Sequence, residues 1–228
     1  MTMISNRIQP DFKKCLEKAN MILLSSREIS GFPFLVKKVV KGSSNIPCKT
    51  YLKAGMYGVD MKCFGSNDAI IMDFNNGNKI IFYNESINSK SRIRFSIAHE
   101  FGHDQMHHKL NDSSNYQIQE IEANFFAAQL LMPEQIINEL IKRGKRISKE
   151  NLILWFGVSE QAAIKRLDTL RKIDFSKRNY DEKDMDEMIV TKYKTFIDSI
   201  APKSFNYYDY DEEEEMQNVR NNLSLIHI

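Results

Sequence analysis

An α+β fold is expected from three features of this 228-residue chain. Two short β-rich runs, residues 69–74 (AIIMDF) and 79–83 (KIIFY), flank Asn75, Asn76, Gly77 and Asn78, and Asn-Gly between such runs is a strong hairpin signal. Helical periodicity then takes over, across residues 93–106, 117–132 and 148–171. The end of the chain turns acidic: residues 1–178 hold 27 Lys and Arg against 18 Asp and Glu, whereas residues 179–228 hold 5 against 12, so the net charge of +2 conceals two opposite halves. A small, mainly antiparallel sheet over residues 50–90, a helical core and an acidic C-terminal tail is the architecture these features predict.

Taken in order, residues 11–24 read as a helix with Phe12, Leu16, Ala19 and Leu23 on one face, expected to pack on the sheet. The sheet follows, and its edge could hold an extended peptide by main-chain hydrogen bonds as readily as it could serve only as core. In residues 93–106, Phe95, Ile97, Ala98, Phe101 and Met106 give an apolar face. Gly102 inside that helix costs about 1 kcal/mol against alanine, so it marks close packing. Residues 117–132 form the next helix, with Ile118, Ile121, Phe125, Leu130 and Leu131. Two further helices are expected over 148–156 and 159–171, with Gly157 and Val158 in the turn. One domain over residues 1–175 and a flexible tail over 176–228 follow, because the tail holds six acids within residues 209–215, which repel one another.

Residues 99–103 read His-Glu-Phe-Gly-His. On a helix, at about 100° per residue, His99 and His103 lie about 40° apart, so both imidazoles can reach one ion. Glu100 is placed to take a proton from water beside that ion rather than to ligate it. Two surface histidines could share this spacing, but the apolar face and the glycine favour a metal site. A catalytic zinc keeps three protein ligands, so a third must come from elsewhere. A third histidine would need Gly at 106 and His at 109, where this chain has Met106 and Lys109. The next helix offers Glu120 and Glu122, which lie about 200° apart and cannot both face the ion. Glu120 is the expected ligand, with Ala123 a small residue facing the first helix and Asn124 an amide one turn on. Glu122 is expected to be a solvated carboxylate. His107 and His108 receive no ligand role, and His107 is read as a capping or structural residue.

These strings carry a resemblance. RIRFSIAHEFGHDQMH (92–107) followed by EIEANFFAAQLLMP (120–133) resembles the ImmA/IrrE family of zinc metallo-endopeptidases, and LILWFGVSEQAAIKRLDTL (152–170) is similar to the segment that closes that family's catalytic domain. The resemblance implies a zincin-like helical catalytic core, one Zn2+ per chain held by His99, His103 and Glu120, and Glu100 as general base. It also implies a cytoplasmic bacterial or mobile-element protease that cuts a transcriptional repressor. Asp104 departs from the family, which usually has an apolar or aromatic residue there, and adds a carboxylate near the cleft. Zinc is the expected ion, although manganese and iron suit the same donor set.

Composition agrees with a soluble intracellular protein. Cys15, Cys48 and Cys63 are odd in number and far apart, without the spacing of a disulfide framework or a metal site. The N-terminus lacks the apolar core of a signal peptide, and the apolar run 125–132 is broken by Gln129, so no membrane segment is expected. Two rival functions remain open. Residues 148–171, with Lys165, Arg166, Arg171 and Lys172, have the outline of a helix-turn-helix nucleic-acid reader. Gln161, Ala162 and Ala163 give its second helix a single polar group for reading bases, so scaffold or substrate docking is preferred. The other rival keeps the fold as a non-catalytic antitoxin or immunity protein. Tyr116 and Arg94 lie near the motifs, but neither is marked by spacing as an oxyanion donor, and Arg94 is expected to anchor the helix start.

Overall fold

The computed structural model describes residues 9–60, 64, 66–74, 77–109 and 114–202. It is α+β. Helices α1 (Phe12–Ser25) and α2 (Val36–Ser44) precede strand β1 (Cys48–Thr50) and a 3-10 helix at Tyr51–Tyr57. Strands β2 (Ala69–Asp73) and β3 (Lys79–Tyr83) lead into α3 (Lys90–Gln105) and α4 (Tyr116–Leu131). The chain continues through α5 (Glu134–Lys142), α6 (Lys149–Phe156), α7 (Glu160–Leu170), α8 (Tyr180–Lys192) and α9 (Lys194–Ile200). No helix among the described residues is long and apolar enough to cross a membrane.

The sheet order is β1-β3-β2, which leaves β2 as an edge strand. The β2–β3 pair is the expected antiparallel hairpin, with Ile71 opposite Ile81 and Gly77 at φ +76° in the turn. The short β1 adds a parallel partner for β3, which the hairpin signal did not foresee. Alternation divides the two faces. Ile71 and Ile81 join the main core beneath α3, while Ile80 and Phe82 pack with Ala54 of the 3-10 helix in a smaller cluster.

Serine caps start three of the helices: Ser89, Ser148 and Ser159 accept from the amides of Arg92, Asn151 and Ala162. Helix α1 is capped by Asp11. Its buried face is Cys15, Ala19, Ile22 and Leu23, whereas Phe12 is 46% exposed, so the helix is rotated from the expected face. It also lies on α4 and α8 rather than chiefly on the sheet. The buried Cys15 and half-buried Cys48 thiols have pKa values pushed up by desolvation to about 12, which leaves them unreactive. Cys63 lies outside the described residues.

The domain boundary expected at residue 175 needs correction. Residues 180–200 form two helices whose Ile189, Tyr193 and Ile197 are fully or almost fully buried in the main core. Lys192 Nζ donates to the carbonyls of Leu23, Leu24 and Ser26 at 2.7, 3.0 and 2.8 Å, and the Tyr193 hydroxyl donates to Leu23 at 2.7 Å. A cation on the last carbonyls of α1 also complements its dipole. The acidic count misled because Asp186 and Asp198 are consumed internally, against Arg178 and Arg143. The cluster at 209–215 lies outside the described residues. Ile197→Ala should therefore cost about 2–5 kcal/mol in urea unfolding, whereas a flexible tail position would cost less than about 0.5 kcal/mol.

Candidate metal centre

The centre is built where α3 crosses α4. Gly102 makes the crossing close: a Cβ there would stand 3.0 Å from the Phe126 ring and 3.2 Å from the Ala123 backbone. His99 and His103 lie one turn apart on the same side of α3, and Glu120 lies one turn before Ala123 and its neighbour Asn124 on α4. The three side chains converge. His99 Nε2 and His103 Nε2 are 3.0 Å apart, and each is 3.3 Å from an oxygen of Glu120. Each imidazole faces a different oxygen of the carboxylate, and one donor atom from each of the three residues lies within 4.8 Å of the others, close enough to share one ion. Two imidazoles and a carboxylate, with a fourth position left for water, fit the donor set of a hydrolytic metal.

Glu100 is buried beside this cluster. Its Oε2 accepts the Ile71 amide at 2.8 Å, from the unpaired side of β2. Burial raises the Glu100 pKa despite the opposing pull of His99, His103 and that amide. Glu120 moves the other way, held far below the usual carboxylate range by its contacts with His103 and His99. Burial alone would lower the His99 pKa, but the bond to Glu120 and the charges of Glu100 and Glu120 overcome it and the net shift is upward. Tyr116 is four residues before Glu120 and hydrogen-bonds its carboxylate, whose charge raises the phenol pKa.

Residues 61–168 match the model of the family described as IrrE N-terminal-like domain, Peptidase_M78. Over this stretch the chain is similar to the ImmA/IrrE family. No curated protein matches it. The similarity is to a metallopeptidase-type domain, and within the matched residues the structure gathers His99, His103 and Glu120 into a cluster that could hold a metal ion.

Several residues of this ImmA/IrrE-like stretch differ from their sequence reading. Glu122 is fully buried rather than solvated, because α1 covers that side of α4; it accepts the Asp11 amide at 2.7 Å and pairs with His108 at 2.8 Å. His108, given no role from sequence, faces His103 with the two Nδ1 atoms 2.9 Å apart. The backbone signal for this was present. His107 has φ +57°, its amide donates to Asp104 and that of His108 donates to His103, each at 3.0 Å, which is a Schellman ending of α3. That fold-back lays residue 108 against residue 103. Asp104 is no free carboxylate, since it bonds Lys79 at 2.7 Å and so ties β3 to α3.

The basic segment also reads differently. Helices α6 and α7 have the expected bounds within a residue, with Gly157 at φ +61° between them. Arg166, however, is 1% exposed; its Nε donates to the Met132 carbonyl at 3.0 Å and its Nη2 to Gln129, so it cannot face a phosphate backbone. Gln129, which interrupts the apolar run of α4, also donates to Asn20 and Gln135. Arg94 holds the end of α6 through the Phe156 and Gly157 carbonyls at 3.2 and 2.7 Å, rather than the start of its own helix. This segment is bound into the scaffold of the catalytic helices.

Gly102→Ala tests the crossing. The added methyl should lower stability by about 1–3 kcal/mol through overpacking, only partly offset by about 1 kcal/mol of helix propensity, and it should weaken metal binding as the helices separate. Thermal melting with and without added zinc separates the two effects.

Proposed function

We propose that this chain is a zinc-dependent endopeptidase that cuts a protein substrate, a transcriptional repressor of a mobile element or stress response. The observation that carries the reading is the cluster of His99, His103 and Glu120, with one donor atom from each within 4.8 Å of the others and the buried Glu100 carboxylate beside it. His99, His103 and Glu120 would hold the ion. When bound, it supplies Lewis acidity and brings the pKa of water down to about 7.

The remaining chemistry belongs to the chain. The Ile71 amide holds one oxygen of Glu100, which orients the other toward the attacking water. Glu100 accepts that proton and passes it to the leaving amine, and its raised pKa makes it a better acceptor in the first of these steps. The edge of β2 that supplies Ile71 is assigned to an extended substrate backbone, which would bring the scissile carbonyl alongside Glu100. The Tyr116 phenol, at the Glu120 carboxylate, is assigned to the developing oxyanion.

Metal content and cleavage of a candidate repressor, measured on the same preparations, test this reading. Glu100→Gln should hold the ion and lose about 10²–10⁴-fold in kcat, while the His99→Ala, His103→Ala double variant should hold none. Retained cleavage in Glu100→Gln would remove the general-base assignment. Tyr116→Phe should lower kcat by about 10²–10³-fold with unchanged metal content; an unchanged kcat would remove Tyr116 from the mechanism.

A further inference from the structure

We propose that His108 and Glu122 are positioning residues of the metal centre, which together fix the tautomer of His103 so that its Nε2 is presented bare to the ion. The inference rests on the metal reading above and concerns residues that do not touch the ion.

The argument is a proton count along one buried line. His103 Nδ1 and His108 Nδ1 are 2.9 Å apart, His108 Nε2 and Glu122 Oε2 are 2.8 Å apart, and Glu122 Oε1 accepts the Asp11 amide at 2.7 Å. Two facing imidazole nitrogens at this distance share a single proton. If it sits on a neutral His108, none is left at Nε2, which then meets the Glu122 carboxylate as acceptor against acceptor; if His108 is the imidazolium, both contacts are made but the proton of neutral His103 is left on Nε2, where it blocks the ion. If it sits on His103, each of these three contacts has one donor and one acceptor. His103 Nδ1–H donates to His108 Nδ1, and His108 Nε2–H donates to Glu122, which has the Asp11 amide on its other oxygen. Only this arrangement leaves His103 Nε2 with a lone pair at the vertex it shares with His99 and Glu120.

Burial keeps the line intact. The side chains of His103, His108 and Glu122 are 5%, 3% and 0% exposed, so water does not compete for these bonds. The Schellman ending of α3 holds His108 in place through its backbone, independently of its side chain. A metal-bound histidine usually donates its second nitrogen straight to a carboxylate or carbonyl. Here a second imidazole is interposed, because the carboxylate lies on the face of α4 turned away from the ion. His99 has a separate partner, the Asn124 side chain, so each ligand histidine is oriented by its own group.

Two measurements on the full chain decide the matter. In the ¹⁵N-labelled, zinc-loaded wild type, long-range proton–nitrogen spectra should show His108 protonated at Nε2 and bare at Nδ1; a proton on His108 Nδ1 overturns the proposal. In chelator competition, His108→Phe, which keeps the ring and removes the acceptor, should weaken zinc binding about 10–100-fold, while the neighbouring His107→Gly leaves it unchanged. A folded His108→Phe protein, judged by its metal-free melting temperature, that binds zinc as tightly as wild type also overturns it. Should His108→Phe fail to fold, the wild-type spectra decide alone. A wild type that takes up no metal would sink the peptidase reading and this inference together, whereas zinc held equally by wild type and His108→Phe would sink this inference only.

Discussion

Backbone meets backbone where Gly102 of α3 lies on Ala123 of α4, and the geometry of the centre descends from that contact. His99 and His103 stand on α3 on either side of Gly102 in sequence, and Glu120 stands on α4 one turn before Ala123, so the helix separation sets the size of the donor cluster. Metal–ligand distances tolerate only about 0.2 Å of error. A side chain at position 102 would hold the helices apart by more than that. The intrinsic helix penalty of glycine is thus offset by a contact that no other residue permits.

Around that crossing, two carboxylates are driven in opposite directions by their surroundings. Glu120 shares its oxygens with two imidazoles and stays ionised. Glu100 is enclosed beneath the sheet edge, and burial lifts its affinity for a proton. Such a division assigns roles without any difference in residue type: one carboxylate suits a cation and the other suits a proton in transit. The Ile71 amide, turned out from the edge of β2, keeps Glu100 on its side of the cleft and gives β2 a place in the chemistry as well as in the fold.

What the sequence could disclose was local. The Asn-Gly hairpin, the His-Glu-Phe-Gly-His helix, the small residue at 123 and the turn at Gly157 all depend on spacings of a few residues, and periodicity reads such spacings directly. Glu122 was misread because its partners, Asp11 and His108, are 111 and 14 residues away. Arg166 was misread for the same reason: beside Lys165 it looks like part of a basic face, yet its partners lie on α4 and in the turn after it. Charge is the least local property of a residue, since burial against a distant opposite group cancels it. Residues 180–200 show this on a larger scale, where acidic composition suggested a loose tail and a few apolar positions at helical spacing anchor two helices.

The bond from Asp11 to Glu122 is made by a main-chain amide. Every amino acid except proline carries that group, so this link does not itself depend on the side chain at residue 11, whose carboxylate serves separately as the cap of α1. The dependence is on position rather than on chemistry. Inserting or deleting one residue just before α1 would move a different amide into the pocket, or none, and the change would be passed through Glu122 and His108 to His103. For this link, an indel at the front of α1 matters where a substitution other than proline does not.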